Sequence, residues 1–512
     1  MSKPSSIRST VNIGLDVLPV EIETDISNGL PAFIIVGLAS KAVDEAKERV
    51  RSAIKNSNLN LPTRRITVNL APADLPKSTP AFDLPIAIGI LAASGQIELP
   101  AKSQLFLGEL ALDGRLKPVN GILNIVSWAQ ENGFKEIYVP AENANEAGSV
   151  KEVAVYPVNA LEDVILHLKN EKQLLMHKKA VTSHLPGKAT MDFADIKGQS
   201  KAKRALEIAA AGGHNVLFEG PPGSGKTLLA QAFAGVLPDL TPDESLEVSR
   251  IYSVTGMINK GEPIVTSRPF RSPHHTISHI ALIGGGAIPK PGEVSLAHRG
   301  VLFLDEFGEF PRQVLEVLRQ PMEDGIVSIS RANGSQVFPA DFILLAAQNP
   351  CPCGNFGQQN SDCSCQLSQI IKYQKKLSGP ILDRIDIFVS LSKVETSDLI
   401  SRNRAESSRE IKARVEAAKK KQIKRLSSHK TSCNSRINAL ELEPLLAISP
   451  EAKDLLTISV DRLKLSARSY YKIQKIARTI ADLESSKTVE TYHVGEALQF
   501  RRQTTDQLVQ MY

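Results

Sequence analysis

The chain has 512 residues, 42% hydrophobic and 23% charged, a composition that supports buried cores and argues against disorder. Net charge is +6, a weak sign of a nucleic-acid partner by itself. No apolar run is long enough to cross a bilayer and the first residues lack a signal-peptide core, so a cytoplasmic protein with no membrane partner is expected.

Length allows about three domains. The first spans 1–170. Val11–Val17 and Val20–Ile26 alternate apolar and polar residues, and Phe33–Val36 is continuously apolar, which predicts three early strands. Lys41–Lys55 carries Val43, Ala46, Val50 and Ile54 at helical spacing, with Asp44 and Glu45 in its first turn. A strand at Ile66–Leu70, a buried helix at Asp83–Ala93 and a strand at Ile137–Val139 follow, with a turn at Asp113-Gly114.

Within this segment, Gly108–Gly121 and Val139–Asn143 resemble the proteolytic domain of Lon-type proteases, and Leu75–Ala81 resembles the loop carrying its serine. The resemblance implies an α+β domain of the Lon-like (ribosomal protein S5 domain 2-like) class. The nucleophile position holds Ala81 and the lysine position falls near Ile125, neither of which can form or activate a nucleophile. Lys77 and Ser78 offer a displaced dyad as the alternative. The expectation is a domain without peptidase activity, kept for interaction or assembly. Residues 171–190 lack periodicity and predict a linker.

Residues 191–390 predict a parallel α/β domain. Lys201–Ala211 is an alanine-rich helix, followed by the short strand Val216–Phe218. Gly220, Pro221, Pro222, Gly223, Ser224, Gly225, Lys226 and Thr227 then form a phosphate-binding loop at a helix start. The glycines let backbone N–H groups face phosphate oxygens, Lys226 brings a charge to the β/γ-phosphates, and Thr227 offers a hydroxyl to Mg²⁺. Val301–Leu304 delivers Asp305 and Glu306 to the carboxyl edge of the sheet. Asp305 would hold the Mg²⁺ shell, and Glu306 would orient and deprotonate water. ATP and Mg²⁺ are the expected ligands.

Leu344–Gln348 is another strand, ending at Asn349, and Arg384 precedes a last strand, Ile387–Ser390. This order resembles AAA+ ATPases. The resemblance makes Asn349 the sensor of the γ-phosphate or the attacking water, and Arg384 a finger on the neighbouring subunit's nucleotide. A plain Arg384–Asp386 pair is the alternative. Between Thr227 and Asp305, proline- and glycine-rich stretches predict loops. Arg268, Arg271 and Lys290 there suit a DNA-facing insertion, and His274, His275 and His279 are expected as loop histidines. Gly325–Ser330 and Ser335–Phe342 predict a hairpin around Asn333-Gly334, with Arg331 beside the tip. In the AAA+ branch with such a hairpin it points into a central pore, where Arg331 and Asn333 would meet phosphates.

Cys351, Cys353, Cys363 and Cys365 form two paired knuckles that predict tetrahedral thiolate Zn²⁺ in place of disulfides. Cys433 stands apart. Residues 391–512 predict a helical lid. Arg402–Arg425 holds ten lysines and arginines against three glutamates, with a seam of Ile411, Val415, Ala418 and Gln422. A solvated lid helix and a nucleic-acid contact both fit that face. Pro450 starts another helix. Arg468 opens the helix through Ile476, Ile480 and Leu483, where AAA+ lids place an arginine that bends back to their own nucleotide.

With Arg268–His275, Gly292–Gly300 and Asn349–Gly354, the chain resembles the magnesium chelatase-like ComM/YifB family nearly end to end. Gln348 departs from the methionine expected before Asn349. The resemblance implies a homo-hexameric ring that translocates on single-stranded and branched DNA, driving branch migration in natural transformation. Recombination or loading proteins are the further partners it implies. The competing classes are a chelatase-like ATPase acting on a protein partner, and a Lon-type protease.

Overall fold

The computed structural model describes the chain outside residues 1–3, 38–43, 76, 78, 179–190, 260, 287–288, 332–333, 358–362, 378, 395–404, 430 and 503–512. The chain forms two compact units. The first comprises residues 1–185, 242–265 and 287–290, and the second comprises the rest.

In the first unit, Ser5–Ile13 and Asp16–Ser27 pair as an antiparallel hairpin. The expected strand Val11–Val17 therefore spans a turn at Gly14-Leu15, because apolar alternation stays in phase across a two-residue loop. Arg65–Ala71 pairs antiparallel with the second strand and parallel with Ala32–Val36. Residues 44 onward of the expected Lys41–Lys55 helix are seen as the helix Ala46–Asn56, which buries Val50 and Ile54. A second sheet of Gln104–Phe106, Glu136–Pro140 and Ala154–Val158 is parallel.

The helix Asp83–Ala93 is buried along nearly its whole length, as its apolar composition requires. Each Leu or Ile it buries contributes roughly 1.5–3 kcal/mol. Its one buried carboxylate, Asp83, accepts from Arg49 at 2.6 and 3.0 Å and from the Leu110 N–H at 3.1 Å. Ala81 and Ile125 lie in one apolar cluster with Leu105 and Val139. Lys77 is fully buried and donates to the carbonyls of Pro72 and Leu75; Ser78 lies outside the described residues.

The helix Pro242–Thr255 belongs to this unit although its sequence lies between the phosphate loop and Asp305. It packs on the helix Ile122–Glu131. Ser253 donates to Glu146 at 2.5 Å, and its carbonyl accepts from the Gly121 N–H at 3.0 Å. Glu146 also accepts from the Leu123 N–H. The proline- and glycine-rich loops expected at Ser267–His275 and Gly284–Gly292 lie after it, and the helix itself is not among the expected elements. The overlooked signals are Pro242 with Asp243 and Glu244, a proline-and-acid first turn.

The second unit is built on five parallel strands in spatial order Phe270–Arg271, Val301–Leu304, Ile343–Gln348, Val216–Glu219 and Ile387–Ser390. The helices Ser200–Gly212 and Lys226–Phe233 join one core with this sheet through Leu206, Phe218, Leu229 and Phe303. The helices Ser408–Arg425 and Ala467–Leu483 enter that same core through Val415, Ile476 and Ile480. The seam Ile411, Val415, Ala418 and Gln422 is buried. On the basic face, Arg414 pairs with Glu207 and Glu406, Arg425 with Asp482, and Lys412 with Asp239. Residues 395–404 lie outside the described residues. No described helix is long and apolar enough to cross a membrane.

Candidate active site

The strand Val216–Glu219 carries the chain to the carboxyl edge of the sheet, where Gly220–Gly225 turns it into the helix beginning at Lys226. Gly225 has φ of 88°, a left-handed conformation that a side chain rarely tolerates, and no atom fills the space where a Cβ would stand. The helix N-terminus and its unpaired N–H groups therefore open onto free space, as anion binding requires.

Three neighbouring strands bring the remaining groups to this edge. Lys226 Nζ donates to Gly220 O at 2.7 Å, Pro221 O at 2.8 Å and Asn349 Oδ1 at 3.2 Å. Burial lowers its pKa, and the Asp305 carboxylate opposes that shift. Thr227 Oγ1 donates to Asp305 Oδ2 at 2.9 Å. Hydroxyl and carboxylate side by side form an oxygen donor pair that suits Mg²⁺ completed by phosphates and water.

Glu306 holds φ of 52°. A left-handed glutamate stores strain of order 1–3 kcal/mol, a cost that persists where the surroundings impose it. Its N–H donates to Asp305 Oδ1 at 2.9 Å, and its carboxylate meets His275 Nδ1 at 3.0 Å. His275 lies just beyond the strand Phe270–Arg271, with its ring 4.1 Å from that of His274. The histidines were expected as plain loop residues. Their alignment with the acidic strand comes from sheet order, which no local pattern reveals.

Arg384 and Arg468 stand together elsewhere in the unit. They line a cavity of about 340 Å³ with Glu323, Arg436, Lys472 and Lys475, and no phosphate-loop residue lines it. Glu323 accepts from Arg384 and lies 3.9 Å from Arg468. Arg468 thus does not bend back to its own subunit's phosphate loop. The Ala467–Leu483 helix starts beside Glu323 and Arg384 instead.

The Arg384–Asp386 pair does not form either. Despite burial, a hydrogen bond from His214, the charge of Lys472 and the Asn215 N–H hold Asp386 below the usual carboxylate range. Asn215 donates to Arg384 O at 3.0 Å and accepts from the Leu344 N–H at 2.8 Å, tying the arginine's turn to the strand that ends at Asn349.

Glu323, Asn215 and His275 are the groups at these sites that sequence reasoning missed. Glu323 closes the short helix Arg319–Asp324, which leads directly into the hairpin Ile326–Arg331 and Gly334–Pro339. The hairpin base is clamped further by Arg436, donating to Met322 O at 2.8 Å and Asp341 at 2.7 Å, and by Arg299 on Asp341 at 3.1 Å. Asn333 lies outside the described residues; Arg331 pairs with Gly334 through the backbone.

Arg268 and Arg271 do not stand out as free DNA contacts. Arg268 donates to the carbonyls of Pro238 at 2.5 Å and Arg299 at 2.6 Å, and Arg271 grips Glu293 with two bonds of 2.7 Å. Their planar forks match carbonyl and carboxylate acceptors made by the chain's own turns. Lys290 is exposed and counts with the first unit. The sulfurs of Cys351, Cys353, Cys363 and Cys365 all lie within 4.8 Å of one another.

Family models match most of the chain. Residues 192–399 match magnesium chelatase, subunit ChlI; residues 22–143 match subunit ChlI of Mg-chelatase; residues 405–501 match the subunit ChlI C-terminal model. The competence protein ComM of Haemophilus influenzae is 43% identical over 502 residues, 97% of each chain. The uncharacterized protein YifB of Salmonella typhimurium is 40% identical over 498 residues, 97% of this chain and 96% of its own. The magnesium-chelatase 67 kDa subunit of Chlorobaculum parvum is 30% identical over only 164 residues, 31% of this chain and 23% of its own. With a phosphate loop, an acidic strand end and an amide gathered at one sheet edge, and relatives matched along nearly their full length, the chain belongs to the ComM/YifB family of magnesium chelatase-like AAA+ ATPases.

Proposed function

We propose that the protein is a hexameric ATP-driven motor that moves on single-stranded and branched DNA and promotes branch migration of recombination intermediates during natural transformation. The observation that carries this reading is the position of Glu323. It engages Arg384 and Arg468 and sits on the helix that feeds the hairpin, so a phosphate arriving at the arginines has a direct route to the hairpin. The name of the Haemophilus relative supports the biological setting.

In this reading, Gly220–Thr227 cradles the ATP phosphates. Thr227 and Asp305 would hold Mg²⁺, which would supply neutralisation of the phosphate charge. Glu306, released from His275, takes the proton of a water whose oxygen attacks the γ-phosphorus, and the bond to the ADP oxygen breaks. Lys226 and Asn349 hold the γ-phosphate from one subunit. Arg384 and Arg468 of the neighbouring subunit meet the developing charge together, which explains their shared cavity. The first unit is a Lon-like domain without peptidase activity, consistent with the apolar setting of Ala81 and Ile125.

ATP turnover measured with single-stranded, duplex and four-way DNA tests the proposal. Four-way DNA should stimulate most, and binding should weaken steeply with salt. Absence of both binding and stimulation at low salt sinks the DNA reading, and cleavage of casein would sink the assignment of the first unit.

A further inference from the structure

The cysteine cluster lies against the nucleotide site. Cys351 Sγ is 3.4 Å from Cys353 Sγ and 3.8 Å from Cys363 Sγ, and Cys353 and Cys363 are 3.6 Å apart. A disulfide needs about 2.05 Å. A tetrahedral ion with Zn–S bonds of about 2.3 Å sets its sulfurs about 3.8 Å apart, close to the 3.4–3.8 Å among these three sulfurs. Cys351 is fully buried, and the Phe356 N–H points at its sulfur at 3.4 Å.

Two short paths run from this cluster to the phosphates. Cys351 follows Asn349, the partner of Lys226, by two residues. Between the knuckle cysteines and Phe356, Gly354 turns back with φ of 82° and its N–H on Cys351 O at 3.0 Å. A Cβ on Gly354 would stand 2.4 Å from Cδ of Pro222, so the knuckle is seated directly on the phosphate loop. Elsewhere in the loop, the Cβ positions of Gly223 and Gly225 face open space.

We propose that Cys351, Cys353, Cys363 and Cys365 bind one Zn²⁺ and that this ion, by seating Gly354 on Pro222 and fixing Asn349, sets the affinity of the phosphate loop for nucleotide. The proposal rests on the reading of Gly220–Thr227 as the ATP site. It makes the metal a determinant of the resting loop shape, not a participant in the chemistry. The contact is steric: without the ion the knuckle loses its closure, and Pro222 loses the surface against which it packs.

The test uses the full-length protein. Metal content is measured by mass spectrometry, and affinity for a fluorescent ATP analogue is measured before and after Zn²⁺ is stripped with a mercurial thiol reagent and a chelator, then after Zn²⁺ is returned. One zinc per chain is expected, with affinity falling roughly tenfold or more on stripping and recovering on return. Gly354→Ala should keep its zinc yet lose affinity to a similar degree, which separates loop seating from loss of folding. Cys433→Ser, outside the cluster, controls for the reagent. A chain with no metal or with iron overturns the proposal, as does zinc whose removal, or a Gly354→Ala substitution, leaves affinity unchanged. A zinc-loaded wild-type protein that binds no nucleotide overturns the ATP-site reading itself.

Discussion

Lys77 in the first unit and Lys226 in the second both aim an ammonium at main-chain carbonyls. Lys77 is fully buried and donates to Pro72 and Leu75. Lys226 donates to Gly220 and Pro221 and to the Asn349 side chain, in a loop that borders open space. Burial lowers both pKa values. The partners make the difference. Those of Lys77 are carbonyls of its own loop, five and two residues back, so the bonds are part of the fold. Those of Lys226 are ones a phosphate can replace, so the bonds hold the lysine ready. Arg384 repeats the second pattern, with Glu323 standing where an anion would bind.

The largest expected effect would break that contrast if it failed. Lys226→Ala and Arg384→Ala should each lower turnover by roughly 10³-fold. Mixed together, the two variants should recover measurable hydrolysis, because one supplies an intact loop and the other an intact arginine to a shared site. No recovery in mixed assemblies confirmed by light scattering would mean that Arg384 serves its own subunit or none.

Lys77→Met should do the reverse. Losing both hydrogen bonds costs about 1–3 kcal/mol, read as a lower urea midpoint, while ATP turnover of the folded protein persists. Equal loss of turnover and stability would place Lys77 with Lys226 after all.

The smallest effect concerns Glu146, whose carboxyl is pushed up by burial, against hydrogen bonds from Ser253, Leu123 and Asn143. A raised folded pKa means that the folded state holds the proton more tightly. The stabilisation is present below the ordinary glutamate pKa and is lost as pH rises through the folded value. Glu146→Gln should therefore flatten the fall in urea midpoint as pH rises above about 4. An unchanged slope would assign that pH dependence to other groups.

Local chemistry made half of the site legible. The phosphate loop, Asp305, Glu306 and Asn349 each announce themselves by a strand followed by a polar residue, and the sheet delivers them to one edge. The arginine cavity was not legible. Arg384 and Arg468 were found singly, but their common partner Glu323 stands in a short helix with no pattern of its own, and the direction taken by the helix Ala467–Leu483 is a tertiary fact. Arg268 and Arg271 misled for the opposite reason. Basic composition shows charge but not the carbonyls and carboxylate that already answer it.

The helix Pro242–Thr255 makes the first unit discontinuous in sequence. Its Val248 and Ile251 are fully buried there, and Glu146 holds its Ser253. A protease nick between residues 171 and 190 would therefore leave two fragments that remain together, since a helix of one still packs on the other. A gene truncated to begin at residue 191 would express that helix with its apolar face stripped, so insolubility of such a fragment would say nothing about the ATPase. Evolution, too, meets this constraint: the two halves of the chain must be inherited as a pair.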